Sequence, residues 1–319
     1  MSKLPVSLIT TILNEASSIQ GFIESVWAMS RKPDEIVIVD GGSGDGTVGI
    51  VQGYIKQGYP IRLFQLKGNR AQGRNRAIRE ADYDLIAASD AGCRVDRDWL
   101  TNIIEPLEED ETLDVCGGFY LPAPESSFEE AAGAVSLLSL KEIEPEKFLP
   151  STRSVAFRRR AWEKVGGFPE EFSYNEDTPF ALNLRRAGCI FQFRPEAKVF
   201  WRPNKTIRGL FRQFYRYATG DGEGLINPQS YSRLFAKYLI GLMLMGLGVI
   251  SIYFPVIAVA GFFFYLGREL FKKRDRLKSV KSRLWFLLLR VVVDLANMAG
   301  YCRGLARRGG ASGVQRLRK

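Results

Sequence analysis

The 319-residue chain has no histidine. That removes the commonest general base and the commonest transition-metal ligand, so proton transfer must fall to Asp, Glu, Lys, Tyr or Cys. Cysteine is scarce as well. Cys93, Cys116, Cys189 and Cys302 are scattered, without the paired spacing of a zinc site or a redox motif, and read most simply as reduced thiols of a protein that faces the cytosol. No secretory leader is expected. Lys3 precedes an apolar run, but Asn14-Glu15 ends it after the length of a strand, with no small-residue cleavage site. Internal repeats are absent too, which argues against a transporter built from symmetric halves.

Basic residues outnumber acidic ones, 45 to 35, for a net charge of +10. The excess is confined. Residues 272–283 carry +6 and residues 302–319 carry +6, so the rest of the chain is slightly acidic at −2. Basic segments beside apolar helices fit the cytoplasmic face of an anionic membrane, not a nucleic-acid groove. The stretch 234–266 is almost wholly apolar, with Lys237 its only charged residue. The run is too long for one ordinary span and contains Pro255. It predicts two helices, 235–253 and 256–270, forming a hairpin with both ends on one face. In the segment 284–301, Arg290, Asp294, Asn297 and Tyr301 lay one polar stripe on an apolar helix. That stripe predicts a helix lying in the membrane interface, with a third span as the alternative.

Predicted strands at Pro5–Leu13, Glu35–Asp40, Ile61–Leu66 and Asp84–Ala88 alternate with predicted helices at Glu15–Met29, Thr47–Lys56 and Arg70–Glu80. The pattern predicts an α/β fold, a mainly parallel sheet with helices on both faces. Further on, Asp114–Tyr120 reads as a strand, Glu176–Ala187 as a helix and 190–201 as short strands. Two strands run into acidic turns. One is Asp40-Gly41-Gly42-Ser43-Gly44-Asp45-Gly46-Thr47, and the other is Ser89-Asp90-Ala91-Gly92. Open α/β sheets bind ligands at the carboxyl ends of their strands. Carboxylates there suit a base or ribose, or a cation that bridges to phosphate. On the residues alone, Asp40 and Asp45 also serve as caps for the helix starting at Thr47. Arg70 and Arg74 equally read as solvated helix charges, and Glu176-Asp177 as a capping pair.

Six motifs in order across residues 5–217 resemble the catalytic domain of glycosyltransferase family 2. They are the first strand with its Asn14-Glu15 ending, the Asp40–Thr47 turn, Gly73-Arg74-Asn75, the turn at Asp90, Ala156-Phe157-Arg158-Arg159 leading to Val165-Gly166-Gly167-Phe168, and Glu176-Asp177-Thr178 followed by Leu184-Arg185-Arg186-Ala187-Gly188. The resemblance implies a Rossmann-like GT-A fold that binds a nucleotide-diphosphate sugar. It puts Thr11, Glu15 and Asp40, with Gly42 and Asp45 of the same turn, around the base and ribose. Gly41 stands where members often carry a second Asp. Arg74, with Arg70 a turn earlier, would take the diphosphate, whose geometry a guanidinium matches. Asp90 would hold Mg²⁺ or Mn²⁺, although the family's Asp-x-Asp is here Asp90-Ala91-Gly92. Asp177 would be the general base and Glu176 its support. Ser151-Thr152-Arg153 would border the acceptor pocket. Gln213-Phe214-Tyr215-Arg216-Tyr217 resembles the Gln-x-x-Arg-Trp element of membrane polysaccharide synthases, which implies an acceptor or diphosphate role for Gln213 and Arg216. The same segment also fits an amphipathic interface helix.

The resulting expectation is an inverting glycosyltransferase that moves a sugar from a nucleotide-diphosphate donor to a hydroxyl of a lipid-linked or membrane-proximal glycan, in surface polysaccharide assembly. Its expected partners are that donor, that acceptor and an anionic membrane, without nucleic acid. The catalytic domain (1–205) is expected in the cytoplasm, followed by interface or linker helices (206–233), a transmembrane hairpin (234–271), and a basic segment, interface helix and basic tail (272–319) at the inner membrane. A polyprenyl-phosphate sugar synthase and a catalytically weak nucleotide-binding scaffold are the alternatives.

Overall fold

The computed structural model describes residues 3–310, so the end of the expected basic tail, 311–319, lies outside the described residues. The chain forms two compact units. One comprises the residues up to Leu121 together with Leu138–Arg202, and the other Pro122–Leu137 together with the chain from Pro203 onward.

The first unit begins as the alternating pattern requires, with β1 (Val6–Ile12), α1 (Ile19–Trp27), β2 (Glu35–Asp40), α2 (Thr47–Lys56), β3 (Ile61–Gln65), α3 (Arg70–Glu80) and β4 (Leu85–Ala88). β5 (Cys93–Val95), α4 (Trp99–Glu109) and β6 (Val115–Pro122) follow; α5 (Ser127–Ser136) belongs to the second unit. The first unit closes with β7 (Val155–Arg158), α6 (Arg159–Lys164), α7 (Asp177–Arg186) and β8 (Phe191–Trp201). The eight strands form one sheet in the order β3-β2-β1-β4-β7-β6-β8-β5. Its β3-β2-β1-β4 half is parallel, and β7 joins β4 antiparallel. Ile12 lies opposite Asp40 and Ile9 opposite both Val37 and Ala88, so β1, β2 and β4 deliver their carboxyl ends side by side.

Alternation along each strand sends successive residues to opposite faces. Leu8, Ile36 and Ile38 join Phe22, Ile23 and Val26 of α1 and Trp99 and Ile103 of α4 on one face. Ile9, Val37 and Val39 join Ile78 of α3, Phe157, Phe168 and Phe180 on the other. Because both faces are covered, these strands read as unbroken apolar runs.

Local differences from the sequence reading have local causes. α1 starts at Ile19, not Glu15, because Ser18 and Ile19 donate back to the Glu15 carbonyl in a turn. The segment expected as short strands is the single strand β8, since Pro195 suits an extended backbone even though it lacks a donor. β5, at three residues, is too short to give a periodic signal.

The second unit is helical. With α5 it contains α8 (Ile207–Gly224), α9 (Pro228–Gly246), α10 (Tyr253–Lys273) and α11 (Val280–Gly310). α5, α8 and α11 share a core of Ala131, Ala132, Leu210, Leu277, Phe286, Leu289 and Val293. Gly300 and Gly304 of α11 face the Tyr215 and Thr219 carbonyls of α8 so closely that any Cβ would collide. Pro255 does not break a helix. It sits in the first turn of α10, where no amide partner is lost, and the link between α9 and α10 falls at 247–252. Three helical stretches, Pro228–Val249, Tyr253–Arg276 and Val280–Arg308, are long and apolar enough to cross a membrane. The polar stripe on α11 turns inward: Asp294 is fully buried, and Tyr301 stacks on Tyr231 at 3.9 Å. It supplies bonds within the helical unit.

Candidate active site

The loops after β1 and β2 are laced together. The Asn14 N–H donates to Ser43 Oγ at 2.9 Å, and the Gly44 N–H donates to Asn14 Oδ1 at 2.9 Å. The Glu15 N–H reaches Thr47 Oγ1 at 2.9 Å and the Ala16 N–H reaches Asp45 Oδ2 at 3.0 Å. Asn14 adopts a left-handed φ of 56°, which asparagine tolerates better than most residues. Asp45 also accepts the Thr47 N–H at 3.2 Å and the Thr47 hydroxyl. These bonds, the hydroxyl's first, hold its carboxyl below the usual range. Asp45 is thus occupied with its own loop.

Asp40 is fully buried and accepts the Gly42 N–H at 3.0 Å, the Ser43 N–H at 3.1 Å and the Ser43 hydroxyl at 2.6 Å. Its carboxylate shapes the turn from beneath, and Gly42, at φ 102°, lets the chain reverse there. The half-buried Glu15 accepts the Ser18 hydroxyl. Thr11, also half-buried, packs against α3, where a Cβ on Gly73 would stand 2.9 Å from its methyl group.

Arg74 is the centre of the site. Its side chain is 6% exposed and spans two carboxylates, with Nη1 on Glu176 and Nη2 on Asp90 Oδ1 at 3.0 Å. Residues from α3, the turn after β4 and the start of α7, distant in sequence, meet here. Burial opposes the charge on Arg74, but Glu176, Asp90 and Asp177 outweigh it and strengthen its hold on its proton. Burial likewise opposes charge on Asp90, yet Arg74, Arg153 and Arg70 together hold its carboxyl below the usual range. Thr152, almost fully buried, donates to Asp90 Oδ1 at 3.5 Å. The Arg153 guanidinium lies 5.5 Å from the rings of both Tyr120 and Trp201. Arg70 is exposed at the first position of α3. Asp177 is half-buried at the start of α7, next to Glu176, which is 4% exposed.

The structure therefore brings Arg74, Asp90, Glu176 and Asp177 together, with Arg70 and Arg153 within electrostatic reach of Asp90. Gln213 and Arg216 belong to the second unit. There, Gln213 accepts from Asn204 Nδ2 and donates to the Tyr217 hydroxyl at 3.2 Å. The sequence reading assigned no role to Asn75. Its Oδ1 accepts the Phe168 N–H at 2.8 Å and Trp162 Nε1–H at 3.0 Å, and its Nδ2 donates to the Phe168 carbonyl at 2.9 Å. Those bonds fix the Gly166-Gly167 turn beneath α7; the signal was the Asn directly after Arg74. Tyr120 and Trp201 were likewise missed, because their link to Arg153 is purely tertiary.

Among the described residues, no three or more Cys, Asp or Glu converge as a metal cage. Asp90 does fit a smaller role. Mg²⁺ and Mn²⁺ commonly take one or two carboxylates and complete their shell with substrate phosphates and water. The Asp90 side chain is 38% exposed, while Arg74 engages Oδ1.

The sequence model described as Glycosyl transferase family 2 matches residues 7–166, and that described as Glycosyl transferase family group 2 matches residues 90–296. Similar proteins include the poly-beta-1,6-N-acetyl-D-glucosamine synthase of Staphylococcus aureus (strain COL), 26% identical over 271 residues, which are 82% of this chain and 64% of that protein. The Staphylococcus epidermidis protein of the same name is 24% identical over 250 residues, covering 74% of this chain and 60% of its own length. The chain thus spans less than two thirds of the length of these relatives. Among solved structures, the mannosyltransferase PcManGT from Pyrobaculum calidifontis, in complex with GDP-Man and Mn²⁺, superposes with a TM-score of 0.58 at 18% identity, covering 93% of this chain and 88% of that one. With matches over both stretches and a sheet of the same fold, the chain belongs to glycosyl transferase family 2 and is a glycosyltransferase of GT-A fold.

Proposed function

We propose that the protein is an inverting glycosyltransferase that passes a sugar from a nucleoside-diphosphate donor to a hydroxyl of a lipid-linked or membrane-proximal glycan, in surface polysaccharide assembly. The observation that carries this reading is the buried Arg74 bridging Asp90 and Glu176 beside a more open Asp177. The similarity to polysaccharide synthases and to a structure holding a nucleotide sugar and Mn²⁺ supports it. The three apolar helices support an anchor in the cytoplasmic membrane, and the basic 272–283 segment supports a cytoplasmic catalytic unit.

In this reading the base and ribose lie over the laced loops, near Thr11, Glu15 and Gly42, with Asp40 and Asp45 holding the loop shape. The diphosphate faces Arg70 and Arg74. Asp90 would hold Mg²⁺ or Mn²⁺, whose charge would neutralise the diphosphate. Asp177 takes the acceptor hydroxyl proton as the acceptor oxygen bonds to the anomeric carbon. The bond from that carbon to the diphosphate breaks, its electron pair leaves with the diphosphate, and one in-line displacement inverts the configuration. The arginines stabilise the charge developing on the leaving group. Gln213 and Arg216 enter this proposal only through the resemblance of their motif.

The test is Asp177→Asn. Transfer to a hydroxyl acceptor should fall by about 10²–10⁴-fold, the usual worth of a general base, while nucleoside-diphosphate affinity stays within about twofold. Unchanged turnover would remove the base assignment. Turnover that persists only with a polyprenyl phosphate acceptor would favour the sugar-phospholipid synthase, whose acceptor is already anionic.

A further inference from the structure

Within the second unit, Asp294 on the apolar helix α11 is fully buried. Its Oδ2 accepts from Lys237 Nζ at 2.7 Å, the Tyr265 hydroxyl at 2.7 Å and the Tyr238 hydroxyl at 3.0 Å, while Oδ1 pairs with Arg290. The hub ties α9, α10 and α11 together. It also forms one wall of a cavity of about 760 Å³. Four cations line that cavity, Arg233, Lys237, Arg268 and Arg290, against three acids, Asp221, Glu269 and Asp294. Asp294 is taken up by Lys237 and Arg290. Glu269 is shared between Arg268, at 3.5 Å, and Lys272, at 3.1 Å, the lysine coming from outside the cavity lining. The lining therefore carries a surplus of positive charge, and Arg290 Nε is buried without a partner.

Lys237 and Tyr265 also line a second cavity, of about 640 Å³, between α9 and α10. Tyr238 lines it too, and its remaining walls are apolar, with Met245, Ile257 and Phe262 among them; two glycines, Gly241 and Gly261, leave open space where a side chain would stand. A cationic chamber thus continues, past one lysine and one tyrosine, into an apolar groove. This matches a ligand with an anionic head and a hydrocarbon tail. Arginine forks suit phosphate, and basic pockets between membrane helices bind phosphate headgroups. Free phosphate would leave the groove empty, and a neutral lipid would leave the cation surplus unanswered.

We propose that α9, α10 and α11 hold one phosphate-headed membrane lipid, its phosphate facing Arg233, Arg268 and Arg290 and one chain in the α9–α10 groove. The proposal rests on the membrane placement of these helices given above, but not on the identity of the donor or acceptor. Its test is binding, so loss of transfer activity and loss of lipid can be told apart. The full chain in detergent is titrated with oleoyl lysophosphatidic acid, with monoolein and with inorganic phosphate, and the thermal midpoint is followed. Lysophosphatidic acid should raise the midpoint saturably, and the other two should not. The apparent affinity should fall at least about tenfold in Arg233→Gln/Arg268→Gln, which leaves all four bonds of Asp294 in place, and in Gly261→Leu, which fills the groove at an open helical position. An equal response to monoolein or to inorganic phosphate, no response in the wild type, or unchanged affinity in both variants would overturn the site.

Discussion

Arg74→Gln probes the centre of the candidate site. Arg74 and Glu176 are 5% and 4% exposed, so their charges face each other with almost no solvent between. Removing the guanidinium leaves Glu176 as an unpaired carboxylate at a buried position. Breaking a buried pair in this way costs about 3–5 kcal/mol, because the remaining charge keeps its desolvation penalty and loses its partner. For a unit of this size each kcal/mol moves the thermal midpoint by about 2–4 °C, so a drop of roughly 10 °C is expected. Adding Glu176→Gln removes the orphaned charge, and the double variant should regain at least about 2 kcal/mol of the loss. Trp27, Trp99, Trp162 and Trp201 all lie in the first unit, so intrinsic fluorescence during heating reports mainly on it. Nucleoside-diphosphate affinity is the second readout. It should fall in the single variant and stay low in the double, since the guanidinium proposed to face the diphosphate is missing from both. If Glu176→Gln fails to recover stability in the Arg74→Gln background, the pair does not hold the site together and the reasoning fails.

Other predictions concern separate parts of the chain. Burial opposes charge on Glu108, but Arg31, bonded to both of its oxygens at 2.9 Å, and the Leu4 N–H at 2.7 Å hold its carboxyl below the ordinary value of 4.5. A depressed carboxyl contributes stability that is present above pH 4.5 and lost as pH falls through the folded value, so Glu108→Gln should flatten the acid side of a stability-versus-pH curve. Asp294→Ala should destabilise the helical unit by about 3–5 kcal/mol by leaving Lys237 and Arg290 without a counter-charge, and adding Lys237→Met should recover part of it, as read by the loss of helical circular dichroism on heating. Gly92→Asp meets no atom within 4 Å of the new Cβ and gives the site a second carboxylate near Asp90. Half-maximal activation by Mn²⁺ should then occur at lower concentration, and an unchanged requirement would count against Asp90 as the metal residue.

The parallel half of the sheet was legible because its physics is local. Unbroken apolar runs of strand length, such as Ile36–Val39, are what a sheet covered on both faces demands, and glycine-rich acidic turns mark where those runs end. The meeting of Arg74, Asp90 and Glu176 was legible only through the family resemblance, since no spacing rule links positions 74, 90 and 176. The fates of Asp40 and Asp45 were open for another reason. A carboxylate at a strand end can face a ligand or turn back to its own amides, and only the placement of Ser43 and Thr47 decides. The stripe on α11 was legible as polar groups sharing a face, but periodicity does not show what that face meets, and its bonds to Lys237, Tyr238 and Tyr265 come only from the packing.

The adjacent carboxylates Glu176 and Asp177 make the same point at the proposed reaction centre. In sequence they are equivalent acids at the start of a helix, and either fits a capping or a catalytic role. On a helix, however, neighbouring residues do not share a face. Once Phe180 and Leu184 fix which side of α7 meets the sheet, Glu176 is carried inward to Arg74 and Asp177 is left at the rim. A carboxylate locked against a buried guanidinium is already occupied and closed off from an incoming hydroxyl. A half-buried one beside the same cation is open to that hydroxyl and is still oriented by the charge. This division of labour supports Asp177 as the base and Glu176 as the group that positions Arg74. It also requires the two to respond differently to neutralisation. Glu176→Gln should cost stability and diphosphate affinity together, whereas Asp177→Asn should cost turnover alone.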